Sequence, residues 1–301
     1  MYFIMIGTKP TTYIKAGFMI LYKYLTYEVG YSILENNSIA FSSPESFNDP
    51  FESEAACSFF PGKAKINLST QKKIRDAAVQ QFKKSYGVLS LTRQPLNPLM
   101  WSHYAGEHTG MVIGIDVSEE CFTSEIENTI PVQFGNVIYT HTKPSNLFLD
   151  TLSEKLNITQ SFSFDRDHIE TYQRAFLYKA SCWSYEEEVR IVKSIPLPLN
   201  PEKFITLKSG NFKIINAFSR CNLIDLPLFL MPKGVIKEVY IGLRSGIHDA
   251  EYNAELSLEI VNTIRSSQPQ TAIFGCKIKE NTWELDRFDL EKEALRQLGE
   301  T

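Results

Sequence analysis

Residues 181–192 read SCWSYEEEVRIV, and how the three adjacent carboxylates are read decides the fold. Like charges side by side repel, and a carboxylate at the edge of a core loses hydration. The segment is therefore either a solvated turn or a place where the protein uses the charge. From Glu188 onward, EVRIVKSI has the pattern of a buried strand. A strand's period of two puts Glu186, Glu188 and Arg190 on one face, and Glu187, Val189 and Ile191 on the other. The plain alternative is a strand end in water, with Arg190 neutralising its neighbours.

Upstream, MILYKYL (19–25) reads as a strand, residues 26–36 as a helix, and IAFSS as a short strand leading to the loop SPESFNDPFE (43–52). A helix is expected over about 69–84, then the strand YGVLSLTR (86–93). QPLNPLMWSHYAGEHTG (94–110) reads as a loop or short helix before the buried strand MVIGIDVS. PVQFGNVIYTHT (131–142) reads as another strand, and helices are expected over about 145–157 and 165–180. Downstream come strands near 203–207 and 212–217, a buried strand VIKEVYIGL, a helix over about 249–265, and the pair AIFGCKI and TWELDRF. The many β–β steps favour an α+β fold with a mixed, mainly antiparallel sheet flanked by helices over a doubly wound parallel one. With no repeat, low-complexity tract or long linker, residues 1–301 read as one domain, the stretch after 195 completing the sheet.

The 301 residues are 43% hydrophobic, enough for a sizeable core. Lys and Arg total 31 against 35 Asp and Glu, a net charge of −4 without the basic excess of a strongly cationic nucleic-acid binder. Cys57, Cys121, Cys182, Cys221 and Cys276 are scattered and odd in number, which suits buried thiols of a reducing cytoplasm better than a disulfide framework. The apolar start lacks a basic n-region, and no run is long enough to span a bilayer.

Two further stretches carry candidate chemistry. Asn48 and Asp49 before Pro50 form a turn signal; their side chains either cap their own loop or line a pocket with Glu52 and the Glu box. Arg93 closes a strand. His103 and His108 are five apart, not the i, i+4 pair of a helical zinc site, so no metal is expected there. His103 and Tyr104 are either packing residues or ligand contacts. Gly106 and Gly110 read as turns and not as a phosphate cradle.

In order and spacing, LYKYL…ILENNSIAFSSPESFNDPFE, then LTR…LMWSHYA…HTGMVIGID, then CWSYEEEVRI resembles the bacterial family of domain of unknown function 2971, over roughly residues 20–195. More distantly, LYKYLTYEVGYSILENNSIAF is similar to the opening strand, helix and loop of ADP-ribosyltransferases. Arg93 with NPLM, and Glu188 with VRIV, resemble two motif positions of the DNA-modifying toxins of the DarT type. That resemblance implies an ADP-ribosyltransferase-like core with a split sheet, NAD as co-substrate, and a macromolecular acceptor, nucleic acid or protein, in a toxin or phage-defence setting. It implies that Glu188 stabilises an oxocarbenium-like transition state, that Glu186 orients or deprotonates the acceptor, and that Arg93 joins them. Tyr22, Lys23, Arg93, Tyr104, Asn48, Asp49, His103 and Arg190 are the implied NAD-binding set. The chain departs from that pattern at Lys23, where many such transferases carry His or Arg; a flexible point charge could instead contact a diphosphate. Two other readings stay open. One is a metal-dependent hydrolase or nuclease in which Asp49, Glu52, Glu186 and Glu188 converge on Mg²⁺ with His103 or Lys23 assisting; the other is a non-catalytic binding module. If the first reading holds, Lys23, Arg93, Tyr104, Glu186 and Glu188 should border one pocket.

Overall fold

The computed structural model describes residues 19–47, 49, 84–142, 163–166, 169–195, 204–219, 222–247 and 252–299. Most of the helix expected over 69–84, the helix expected over 145–157, Asn48 and Glu52 lie outside these residues. The chain opens with β1 (Ile20–Leu25), α1 (Tyr27–Asn36) and β2 (Ser38–Ala40). Helix α1 buries Gly30, Ile33 and Leu34 and ends where Asn37 adopts the left-handed conformation at φ 50°, which amide side chains tolerate. There follow β3 (Tyr86–Thr92), α2 (Pro98–Tyr104), β4 (Met111–Asp116) and the single turn α3 (Glu120–Thr123). Next come β5 (Ile138–Thr140), α4 (Ile169–Phe176), β6 (Tyr178–Ala180) and β7 (Glu188–Ser194). The C-terminal part holds β8 (Phe204–Leu207), β9 (Gly210–Ser219), β10 (Asn222–Leu230), β11 (Ile236–Ile241), α5 (Ala254–Ser267), β12 (Ala272–Ile278), β13 (Leu285–Asp289) and α6 (Leu290–Leu298).

Seven strands form the main sheet in the order β13-β12-β11-β4-β1-β3-β7. Only β11 and β12 run parallel within it, joined through α5 as a parallel pair requires. Four strands, β2-β10-β9-β8, make a second, antiparallel sheet, and β5 and β6 form a parallel pair. The fold is thus α+β with a mixed, mainly antiparallel sheet. The largest apolar core joins one face of the main sheet (Leu89, Ile113, Ile191) to Phe212 and Phe229 of the second sheet and to Ile260 and Ile264 of α5. Among the described residues, no helix is long and apolar enough to cross a membrane.

Two local readings change, and one strand is added. The helix expected over 165–180 stops at Phe176, because β6 then pairs with β5 through Ile138↔Tyr178 to Thr140↔Ala180. PVQFGNVIYTHT is only partly strand: Val132–Phe134 form a 3-10 turn, and the strand is confined to Ile138–Thr140. The added strand is β10, in which Pro227 is registered with Ile214 of β9 and its carbonyl accepts the amide of Phe41.

Helix α2 is fixed at its start by Asn97. Its Oδ1 accepts from the amides of Leu99 and Met100 at 3.0 and 3.3 Å, Pro98 takes the first helical position, and Nδ2 donates to the Tyr185 carbonyl at 2.8 Å. The cap therefore ties α2 to the turn carrying the three carboxylates. Asn97→Ala should lower stability by about 1–2 kcal/mol, read as a shifted urea midpoint at constant slope.

Candidate active site

Registered pairs on neighbouring strands point to the same face. Tyr22 pairs with Thr92, Thr92 with Glu188, and Ser90 with Arg190. Tyr22, Thr92, Ser90, Glu188 and Arg190 therefore share the face opposite the main core. Strands β1 and β4 pair over six positions, whereas β1 and β3 are registered at Tyr22↔Thr92 alone, so the sheet parts there. Lys23 reaches into this parting, its Nζ donating to the Ser90 carbonyl at 3.0 Å.

The parting opens into a cavity of about 210 Å³ lined by Lys23, Tyr104, Lys179, Glu186, Glu188 and Arg190. Tyr22, Phe47, Asp49 and Trp183 complete the part of the wall that concerns the chemistry. Glu188 is 6% exposed and Glu186 3%, so the solvated-turn alternative does not hold. Arg190 grips Glu188 with both ends of its fork, Nε to Oε1 at 2.8 Å and Nη2 to Oε2 at 2.9 Å, while Nη1 donates to the Phe176 carbonyl at 2.6 Å. Lys179 bridges the two carboxylates, donating to Glu186 Oε2 at 2.5 Å and Glu188 Oε2 at 3.0 Å. The hydroxyl of Tyr104 donates to Glu186 Oε1 at 2.6 Å. Both cations also lie over rings, Lys179 5.3 Å from the centroid of Trp183 and Arg190 5.0 Å from that of Phe47.

Glu186 reaches this face by a different route from the one its spacing suggested. It is the last residue of a 3-10 turn, Ser181–Glu186, and not part of β7. Glu187 then takes the left-handed conformation, φ 44° and ψ 46°, and strand β7 starts one residue later. This reversal sends the Glu187 side chain outward, where it accepts from Gln94 Nε2 at 3.2 Å, and leaves its two neighbours inside. Thr92 Oγ1 holds the turn by donating to the Glu186 carbonyl at 2.5 Å.

The electrostatics follow from burial and pairing. Burial pushes the Glu188 carboxyl up, but the charges of Arg190 and Lys179 outweigh it and hold the group below the usual carboxylate range. Burial pushes the Tyr104 phenol well above its ordinary value, helped by the hydrogen bond to Glu186. The Lys23 ammonium is pushed down, first by desolvation and then by Arg190, against a raising effect of Glu188. Tyr22 is pushed up to about 12 by burial and by Glu238, which accepts its hydroxyl at 3.0 Å.

Of the residues singled out in the sequence, Tyr22, Lys23, Asp49, Tyr104, Glu186, Glu188 and Arg190 stand around the cavity. Arg93 does not line it: the side chain is exposed and braces the back of the carboxylate turn, donating to the Glu187 carbonyl at 3.2 Å and to Asn136 Oδ1 at 2.6 Å. His103 is exposed on α2 and meets Tyr104 edge-on, away from the cavity wall. Lys179 is the central residue that sequence reasoning missed. Its signal was hidden because YKA was read as the end of a helix, whereas strand pairing turns Lys179 inward.

Residues 100–191 match the family model described as protein of unknown function (DUF2971). The matched segment runs from α2 into β7 and so contains Tyr104, Lys179, Glu186, Glu188 and Arg190. Neither a curated protein nor a solved structure matches the chain.

Proposed function

We propose that the chain is an ADP-ribosyltransferase-like enzyme that transfers ADP-ribose from NAD to a macromolecular acceptor, nucleic acid or protein, acting as a toxin or phage-defence effector. The observation that carries this reading is the pair of buried carboxylates, Glu186 and Glu188, held by one ammonium in a cavity where β1 and β3 part. Cleavage of the nicotinamide–ribose bond develops positive charge on the sugar, and a carboxylate fixed in its ionised form stabilises that charge without reorganising. Arg190 and Lys179 keep Glu188 ionised and aimed. Glu186, which accepts the Tyr104 hydroxyl, has the acceptor-side role of orienting or deprotonating the incoming group. The cavity lies below the roughly 300–1,000 Å³ typical of sites for drug-sized ligands, so it takes the nicotinamide–ribose end and leaves the adenosine end outside.

The test is release of nicotinamide from NAD⁺ together with transfer of labelled ADP-ribose to extract nucleic acid or protein. Glu186→Gln should depress transfer more than release. Glu187→Gln, on an exposed side chain, should leave both rates unchanged and stability within about 0.5 kcal/mol. Equal effects at positions 186 and 187 would remove the acceptor role. The metal-dependent hydrolase reading gains little support from the described residues, among which no three His, Cys, Asp or Glu stand close enough to share a metal.

A further inference from the structure

We propose that Lys23 is an imine-forming lysine, whose amine condenses with the aldehyde of a carbonyl ligand, the open-chain form of a sugar being the class that fits this cavity. Three features of its position carry the inference. The side chain is half-buried and lines the cavity. Among the described residues its one hydrogen bond is to the Ser90 carbonyl, which anchors the nitrogen and leaves its remaining valence directed away from that bond. Its ammonium is desolvated, which lowers its proton affinity, while Glu188 raises that affinity and Arg190, by a smaller effect, lowers it. Lysine amines become nucleophilic when desolvated, and this one is. Its lowered proton affinity agrees with that position. The wall around it supplies Asp49, Tyr104, Lys179, Glu186, Glu188 and Arg190, groups suited to hydrogen-bonding a polyhydroxylated ligand and to passing protons.

The step is balanced without an oxidant or other co-reactant. The lone pair of the neutral amine adds to the carbonyl carbon, the two Nζ–H protons pass to the carbonyl oxygen, which leaves as water, and a C=N bond to Lys23 remains. This chemistry does not depend on NAD, so the inference stands or falls apart from the transfer reading.

The test incubates the wild-type protein at pH 7 with ribose, and separately with glycolaldehyde, in the presence of cyanoborohydride, and maps reduced adducts by mass spectrometry. Lys23 should be modified severalfold faster than the exposed Lys233, because the cavity can hold the carbonyl beside its desolvated amine. Lys193 is an internal control, because it is 0% exposed and is also pushed down by desolvation, to about 8. It should stay unmodified. Modification that follows exposure, with Lys233 ahead of Lys23, overturns the proposal. Equal modification of Lys23 and Lys193 also overturns it, since the reaction would then report a free amine in a transiently open chain and not the cavity. Lys23→Arg, which keeps the charge and cannot form the imine, should lose the adduct at that peptide alone.

Discussion

Glu188→Gln is expected to lower the stability of the fold by about 3–5 kcal/mol and to reduce nicotinamide release per folded molecule by about 10²–10³. Both effects come from the same charge. The amide keeps the shape of the side chain but leaves the Arg190 fork and one face of the Lys179 ammonium without their anion, in a place where Glu188 is 6% exposed. A buried pair broken from one side leaves an uncompensated charge, which is why the loss exceeds that of a surface ion pair. The amide nitrogen also sets a donor against donors. Urea unfolding reads the first effect, and the release assay, normalised to folded protein, reads the second. The pH dependence has a definite sign. The folded carboxyl lies below its unfolded value near 4.5, so its contribution is complete above that pH and is lost as pH falls through and below it. Wild type should therefore lose stability more steeply than Glu188→Gln on acidification from about pH 5. A variant that unfolds like wild type while losing release would keep Glu188 as a reacting group and deny it the structural role. Full release per folded molecule would remove it from the chemistry.

This dual role was only half legible in the sequence. The β7 strand, with Glu188 and Arg190 on one face, followed from alternation alone, because β-strand geometry fixes which side chains are neighbours. The buried strand at Met111–Asp116 followed from its apolar run, and the strand at Ile236–Ile241 from the apolar residues on either side of Lys237 and Glu238. The convergence of Glu186 on Glu188 was expected for a reason that does not operate. A strand would have placed it, but a 3-10 turn and a left-handed Glu187 place it instead, and no side-chain pattern announces a non-glycine residue in that conformation. Lys179 was illegible for a deeper reason. Its position depends on pairing between β5 and β6, about 40 residues apart in sequence, and long-range register is not written in local periodicity. Arg93 shows the converse: its strand end was legible, yet the backbone carbonyl of Glu187 and the Asn136 amide draw its guanidinium behind the turn.

The same strand that puts Arg190 in the cavity puts Lys193 on the other face, inside the main core, and the second large expectation concerns this residue. Lys193 is 0% exposed, donates to the Cys121 carbonyl at 2.9 Å and lies 4.9 Å from the ring centroid of Phe229. Desolvation pushes its ammonium down from 10.5 to about 8, against smaller raising effects of Cys121 and Glu127. Between those values the unfolded chain binds a proton that the folded chain does not, so stability must rise with pH across that window. The full difference corresponds to roughly 3 kcal/mol, and at pH 7 it acts as a penalty carried by the native state. Lys193→Met fills similar volume without the charge, and the Cys121 carbonyl keeps the amide of Asn128 as a donor at 3.2 Å. The variant should be more stable than wild type at pH 7 by about 2–3 kcal/mol, with the advantage shrinking as pH rises from 8 towards 10.5. Comparing the two proteins at each pH cancels groups that titrate alike in both, among them Cys276, which burial pushes up to about 12 and which by itself makes stability fall above pH 9. Denaturant midpoints of the pair at pH 7, 8, 9 and 10 give the difference directly. A constant difference across that range would mean that Lys193 stays protonated in the folded state, with the Cys121 carbonyl and the Phe229 ring sufficing to replace its water.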